Sequence, residues 1–228
     1  VLILDCGERP DETEHLWACA DVLCCACGGH AGDEESMRRV VAFCARSVAR
    51  LGAHVSYPDR AGFGRRSPFS HPDIVETVQA LADSLVDQER ALLRMAHAQG
   101  VAVTAVKPHG ALYHDAAIYP DVAGAVIDAA VAVFGPRTLL IGPRYGFLHD
   151  ECARQGIPYA REGFADRRMR PDGSLVPRDE PGALILDPEE AAAQAKRLLE
   201  TYDVVCVHGD TPGALAIARA VRAAIGSG

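Results

Sequence analysis

Gly100-Val-Ala-Val-Thr-Ala-Val-Lys-Pro-His-Gly-Ala-Leu-Tyr113 is the stretch on which the fold turns. Val101–Val106 is a short run rich in valine, the pattern of a buried strand. It breaks into Lys107, His109 and Gly110 without any apolar tail. Before it, His71–Gln99 places Ile74, Val78, Leu81, Leu85, Leu92 and Met95 at helical spacings, and Gly100 closes that helix. Pro72 stands near its start, where a missing amide proton costs little. After it, Asp121–Phe134 reads as another helix. Helix, strand, polar turn and helix in this order make one unit of a parallel α/β fold.

The same unit recurs in both directions. Strands are predicted at Val1–Asp5, Asp21–Gly28, Ala53–Tyr57, Thr138–Ile141, Ile157–Arg161 and Asp203–Val207. Glu34–Leu51 is predicted as a helix from Met37, Val40, Val41, Cys44, Val48 and Leu51, ended by Gly52. Arg144–Gln155, Pro188–Tyr202 and Pro212–Ile225 supply further helices. Residues 167–182, with Pro171, Pro177 and Pro181, read as a long excursion that turns at Asp172-Gly173. About seven strand-helix units fit a distorted seven-stranded β/α (TIM-like) barrel in one domain, 1–228. An open doubly wound sheet is the competing arrangement.

Composition narrows the function classes. The chain has 228 residues, 49% hydrophobic and 24% charged, enough to bury a core without disulfide staples. A net charge of −8 repels a phosphate backbone, so no nucleic-acid partner is expected. No apolar run approaches the ~20 residues of a spanning helix, and Asp128 interrupts the best candidate, Ala123–Phe134. Val1 to Asp5 carries no basic leader. A cytoplasmic protein with no membrane partner is the expectation. Eight cysteines sit mostly among Val, Leu and Ala, where a thiol packs as a small apolar group. Cys24 and Cys27 have C-x-x-C spacing, but no second pair completes a zinc set. Cys6 and Cys27 lie near strand ends without a local partner for nucleophilic work.

Polar residues gather just after the strands: Asp5 and Glu8, His30 and Asp33, His54, Lys107 with His109 and Tyr113, Asp166 with Arg167, and His208 with Asp210. In parallel α/β folds the carboxyl ends of all strands share one face, so these side chains are expected to meet at one pocket. Each residue alone has a plainer reading; Asp33 and Asp210 both suit the N-cap of a following helix. Gly62-Phe-Gly64-Arg65-Arg66 offers two guanidinium groups for a carboxylate or phosphate, or else forms a solvated turn. There is no P-loop, Rossmann glycine pattern or nucleophile elbow. Asp5, His30 and His54 are the residue types of a metal-dependent hydrolase.

Seven ordered segments carry a family resemblance: His30-Ala-Gly-Asp33, Gly52-Ala-His-Val-Ser-Tyr-Pro-Asp59, Gly62-Phe-Gly-Arg-Arg66, Val106-Lys-Pro-His-Gly-Ala-Leu-Tyr113, Phe164-Ala-Asp-Arg167, Asp172-Gly-Ser-Leu-Val-Pro-Arg178 and Val207-His-Gly-Asp210. Together they resemble the LamB/YcsF lactam-utilisation family, the A subunits of 5-oxoprolinase. Ile3, Gly29 and Val55 depart from the family pattern of Asn, Phe and Pro at those places. The resemblance implies a barrel akin to that of sugar deacetylases. It also implies ATP-dependent opening of 5-oxoproline to glutamate, with Mg2+ accompanying ATP and with partner subunits B and C. On that reading Asp5, His30, His54, Lys107, His109, Asp166, His208 and Asp210 carry the chemistry. Glu8, Asp33, Gly64, Arg65, Arg66, Tyr113 and Arg167 hold the substrate or an anion. Two alternatives stand beside it: a metal-dependent amide hydrolase using Asp5, His30 and His54, and a non-catalytic lactam-binding subunit.

Overall fold

The computed structural model describes residues 1–71, 73–170, 174–178 and 180–226. Seven parallel strands follow one another around a closed ring: β1 (Leu2–Cys6), β2 (Val22–Ala26), β3 (Arg50–Val55), β4 (Val103–Pro108), β5 (Leu139–Gly142), β6 (Tyr159–Phe164) and β7 (Val204–His208). Leu2 to Asp5 pair with Val205 to His208, so the first and last strands join and leave no sheet edge. That pairing decides for the barrel over the open sheet.

Alternation along each strand sorts side chains into two cores. Leu2, Leu4, Leu23, Leu51, Ala53, Val106, Leu140, Val205 and Val207 face outward into the layer beneath the helices. Ile3, Val22, Cys24, Ala105, Ile141, Ala160, Phe164, Val204 and Cys206 face inward as a separate cluster. The same inward parity carries Asp5, His54, Lys107, Glu162 and His208. The barrel therefore has an apolar floor and an ionisable mouth. Its interior is narrow: a Cβ on Gly52 would meet Cys24 Sγ at 3.3 Å and the Ala105 carbonyl at 3.4 Å.

Among the described residues, eight helices surround the ring: α1 (Glu14–Trp17), α2 (Glu34–Ala45), α3 (Val78–Ala98), α4 (Gly110–Ile118), α5 (Pro120–Phe134), α6 (Phe147–Gln155), α7 (Pro188–Leu198) and α8 (Ala214–Ile225). Among the described residues, no single helix is long and apolar enough to cross a membrane. Several elements correct the sequence reading. α2 stops at Ala45 instead of running to Leu51, and β3 begins at Arg50. Val48 is fully exposed, and Arg50 and Leu51 pair with Val22 and Leu23. Gly52 is therefore an interior strand residue and terminates nothing. The helix expected from His71 starts only at Val78, where Thr77 Oγ1 accepts from the Ala80 amide at 3.1 Å. The short α1 and the α4 segment were not anticipated. Pro72 and the turn at Asp172-Gly173 lie outside the described residues. The eight thiols are free and buried.

α3 carries a buried carboxyl group with no hydrogen-bond partner. Gln88 grips Ser56 through both amide ends, at 3.0 and 2.8 Å. Next to it, Glu89 is fully buried and neither carboxylate oxygen has a hydrogen-bond partner. Burial pushes its carboxyl up to about 8. The folded chain thus holds this proton more tightly than the unfolded chain, whose glutamates titrate near ~4.3. Stability is fully present below that value and declines as pH rises through about 8. Glu89→Gln is expected to remove this decline, raising unfolding free energy at pH ~9 by roughly 2–4 kcal/mol relative to wild type, with little change at pH ~5. Urea denaturation at the two pH values measures it; an identical gain at both would reject the titration.

Candidate active site

The centre of the mouth is an ion pair reached from opposite strands. Lys107 Nζ, on β4, donates to both Asp5 oxygens on β1 at 2.7 and 2.8 Å, and to Cys206 Sγ at 3.2 Å. Glu162 Oε1 lies 2.7 Å from the same ammonium, although no well-directed hydrogen bond reaches either Glu162 oxygen. Asp5, Lys107 and Glu162 are each 1% exposed. Burial opposes the charge on Lys107, but the facing Asp5 carboxylate holds its pKa well above the usual value. Burial likewise opposes the charge on Asp5, and Lys107 brings its carboxyl below the usual value. Glu162, the surplus acid, is pushed up to about 7 by burial. Glu162 was not anticipated: it stands inside a strand expected to end at Arg161.

Beside Asp5 is a histidine cluster. His54 Nδ1 lies 3.0 Å from the Lys107 carbonyl, and His54 Nε2 lies 3.0 Å from His109 Nδ1. His109 Nε2 lies 2.9 Å from the Phe63 carbonyl. His30 stacks on His109 with centroids 3.6 Å apart, and its Nε2 lies 2.9 Å from Glu8 Oε1. Burial lowers the pKa of all three rings, that of His30 to about 3. The Glu8 carboxyl is pushed well upward, again by burial. Glu12 builds the loop that presents Glu8. Its carboxylate accepts from the amides of Gly7, Glu8 and Arg9 and from Trp17 Nε1, at 2.7 to 3.1 Å.

On the other side of Asp5, His208 forms a pair with Asp166. Its Nδ1 lies 2.9 Å from Asp166 Oδ1, while Asp166 also accepts from the His208 amide at 3.1 Å and from Thr211 Oγ1 at 2.6 Å. The carboxylate fixes the proton on Nδ1 and leaves Nε2 bare, 3.8 Å from Asp5 Oδ2. His54 Nε2 approaches the same oxygen at 3.4 Å. The imidazoles of His30, His54 and His208 therefore share one mouth.

This mouth opens into a cavity of about 870 Å³, within the usual range for a small-molecule site. Asp5, His54, Lys107, His109 and His208 line its floor; Arg65, Tyr113, Phe164, Arg167 and Arg178 line its walls. Asp210 holds two of the arginines, Arg65 and Arg178, each at 2.6 Å. Arg178 arrives through the excursion after β6, whose antiparallel bridges Arg167↔Leu184 and Met169↔Leu175 fold it back over the barrel. Arg167 Nε is buried without a hydrogen-bond partner. Two expected site residues are engaged elsewhere. Asp33 caps α2, accepting from the Ser36 amide at 2.8 Å, and Arg66 pairs with Asp59, with Nε 3.0 Å from Oδ2. Neither lines the cavity.

Residues 9–227 match the model of the LamB/YcsF family. The chain belongs to that family. It is 44% identical over 211 residues to the 5-oxoprolinase A subunit of Mycobacterium avium (strain 104), covering 86% of this chain and 81% of that protein. It is 41% identical to the 5-oxoprolinase A subunit of Streptomyces griseus, covering 94% and 88%. In three dimensions it resembles a lactam utilization protein from Thermus thermophilus, with TM-score 0.86 and 30% identity over 98% of this chain and 94% of that one. The family barrel and the seven-stranded ring agree.

Gly64 gives the loop around the histidines a direct test. Its φ is +63°, and an added Cβ would stand 2.8 Å from His30 Cβ and 3.0 Å from His109 Cδ2. Its carbonyl accepts from the Ala111 amide at 2.9 Å, so it cannot retreat freely. Gly64→Ala is expected to cost about 1–3 kcal/mol of unfolding free energy by urea denaturation. Wild-type stability would contradict the packing described.

Proposed function

We propose that this chain is the A subunit of an ATP-dependent 5-oxoprolinase, opening 5-oxo-L-proline to L-glutamate together with subunits B and C. The names of its relatives support the activity. The observation that carries it to this cavity is the meeting of an Asp166–His208 pair with three arginines above a buried Asp5–Lys107 pair.

The substrate is a small lactam bearing one carboxylate. Arg65, Arg167 and Arg178 are the groups placed to bind that carboxylate, since guanidinium matches it bidentately. Arg167 lines the cavity with its guanidinium anchored by the Val176 carbonyl, to which Nη2 donates at 2.9 Å. A lactam carbon is a poor electrophile. Transfer of the ATP γ-phosphoryl group to the lactam oxygen, with Mg2+ accompanying the nucleotide, releases ADP and makes the ring carbon attackable. Water then adds to that carbon and gives its proton to His208 Nε2. The carbon–nitrogen bond breaks, and the nitrogen takes a proton back from His208. A second water converts the acyl phosphate to the glutamate carboxylate and inorganic phosphate. Lys107 is saturated by Asp5, so its part is to keep Asp5 ionised and oriented, stabilising positive charge on His208 across 3.8 Å.

The assembled protein, mixed with subunits B and C, ATP and 5-oxoproline, is expected to release glutamate and phosphate together. His208→Gln is expected to lower kcat by about 10²–10⁴. Arg178→Ala is expected to raise KM for 5-oxoproline roughly 10- to 100-fold. Wild-type kcat in His208→Gln would reduce the chain to a lactam-binding subunit. Glutamate release without ATP would turn the reading to metal-assisted hydrolysis.

A further inference from the structure

Two carbonyl groups decide the protonation of His54 and His109. A carbonyl oxygen only accepts, so His54 carries its proton on Nδ1, facing Lys107 O at 3.0 Å. His109 carries its proton on Nε2, facing Phe63 O at 2.9 Å. The remaining nitrogens, His54 Nε2 and His109 Nδ1, are both lone pairs, yet they face each other at 3.0 Å. Two buried lone pairs at that distance repel unless a positive centre lies between them.

A third donor points at the same place. Glu8 Oε1 is 3.5 Å from His109 Nδ1 and 3.8 Å from His54 Nε2. The three separations, 3.0, 3.5 and 3.8 Å, bracket the edge of about 3.3 Å expected between ligands at ordinary zinc–nitrogen distances in a tetrahedral site. His30 belongs behind this set. Its Nδ1 is buried with no partner, which leaves Nε2 to donate to Glu8 at 2.9 Å. Its ring lies flat on His109, 3° from parallel, an attitude in which both rings cannot aim in-plane at one ion. A histidine that orients a ligating carboxylate is a usual supporting partner of a metal.

We propose that Glu8 Oε1, His54 Nε2 and His109 Nδ1 form a binding site for one divalent transition metal ion of the zinc class. His30 is the positioning residue, and the remaining coordination position faces Asp5 and the cavity. This set differs from the Asp5–His30–His54 grouping expected from sequence: Asp5 spends both oxygens on Lys107. Two imidazoles and one carboxylate suit zinc or a neighbouring first-row ion better than magnesium or calcium, which prefer oxygen.

The site is testable without turnover, so its failure and that of the ring-opening reading are distinguishable. The full chain, stripped with a chelator, is titrated with Zn2+ by calorimetry and with Co2+ by visible absorption. One equivalent of each ion is expected, with Co2+ giving the bands of a low-coordinate, nitrogen-ligated site. His109→Ala and Glu8→Gln are each expected to weaken binding at least 100-fold. His208→Gln, which breaks the separate Asp5–Cys206–His208 grouping, is expected to bind as wild type. Should His109→Ala fail to fold, Glu8→Gln decides. Absence of stoichiometric binding would overturn the proposal, leaving a shared proton between the two rings. Loss of binding in His208→Gln with retention in Glu8→Gln would overturn it as well.

Discussion

An ammonium and a carboxylate, both out of water, cross the middle of this barrel. Asp5 and Lys107 stand on β1 and β4, strands that are not neighbours in the ring. Either charge alone in this interior would cost several kcal/mol. Together they satisfy each other at 2.7 and 2.8 Å. The pair thereby spans the ring and sets the charge at its centre. Everything else at the mouth is arranged about Asp5 Oδ2: His54 on one side at 3.4 Å, and His208 on the other at 3.8 Å.

These two sides do different work. One is buried and crowded, with stacked histidines, a buried glutamate side chain and a glycine loop that leaves no room for a methyl group. The other opens to the cavity, where Asp166 orients His208 and Asp210 spaces two arginines. Asp5 belongs to both, and Lys107 keeps it charged. His54 and His109 also line the cavity floor, so a ligand there would meet the histidine cluster directly as well as through Asp5.

Much of this was legible in the chain because topology does the gathering. Strand-end residues Asp5, His54, Lys107 and His208 needed only the rule that parallel strands finish on one face. Residues whose placement depends on tertiary pairing were not legible. Glu162 was hidden because the charged Arg161, half-buried and paired with Asp203, reads as a strand end, whereas β6 runs three residues further to Phe164. Arg178 depends on the hairpin-like fold of the excursion. Val48 and Leu51 extend the helical spacing after Glu34 beyond the true end of α2, because Val48 is fully exposed and Leu51 is claimed by β2. Asp33 and Asp210 looked alike in sequence, each before a helix. One caps its helix, while the other is drawn away by two arginines.

Asp5 and Lys107 act as one unit in holding the barrel. A double-mutant cycle on unfolding free energy measures this directly, with Asp5→Asn, Lys107→Met and the two combined. Each single change is expected to cost about 3–5 kcal/mol, and the double change less than their sum by about 2 kcal/mol or more. Strict additivity of the two substitutions would contradict the account.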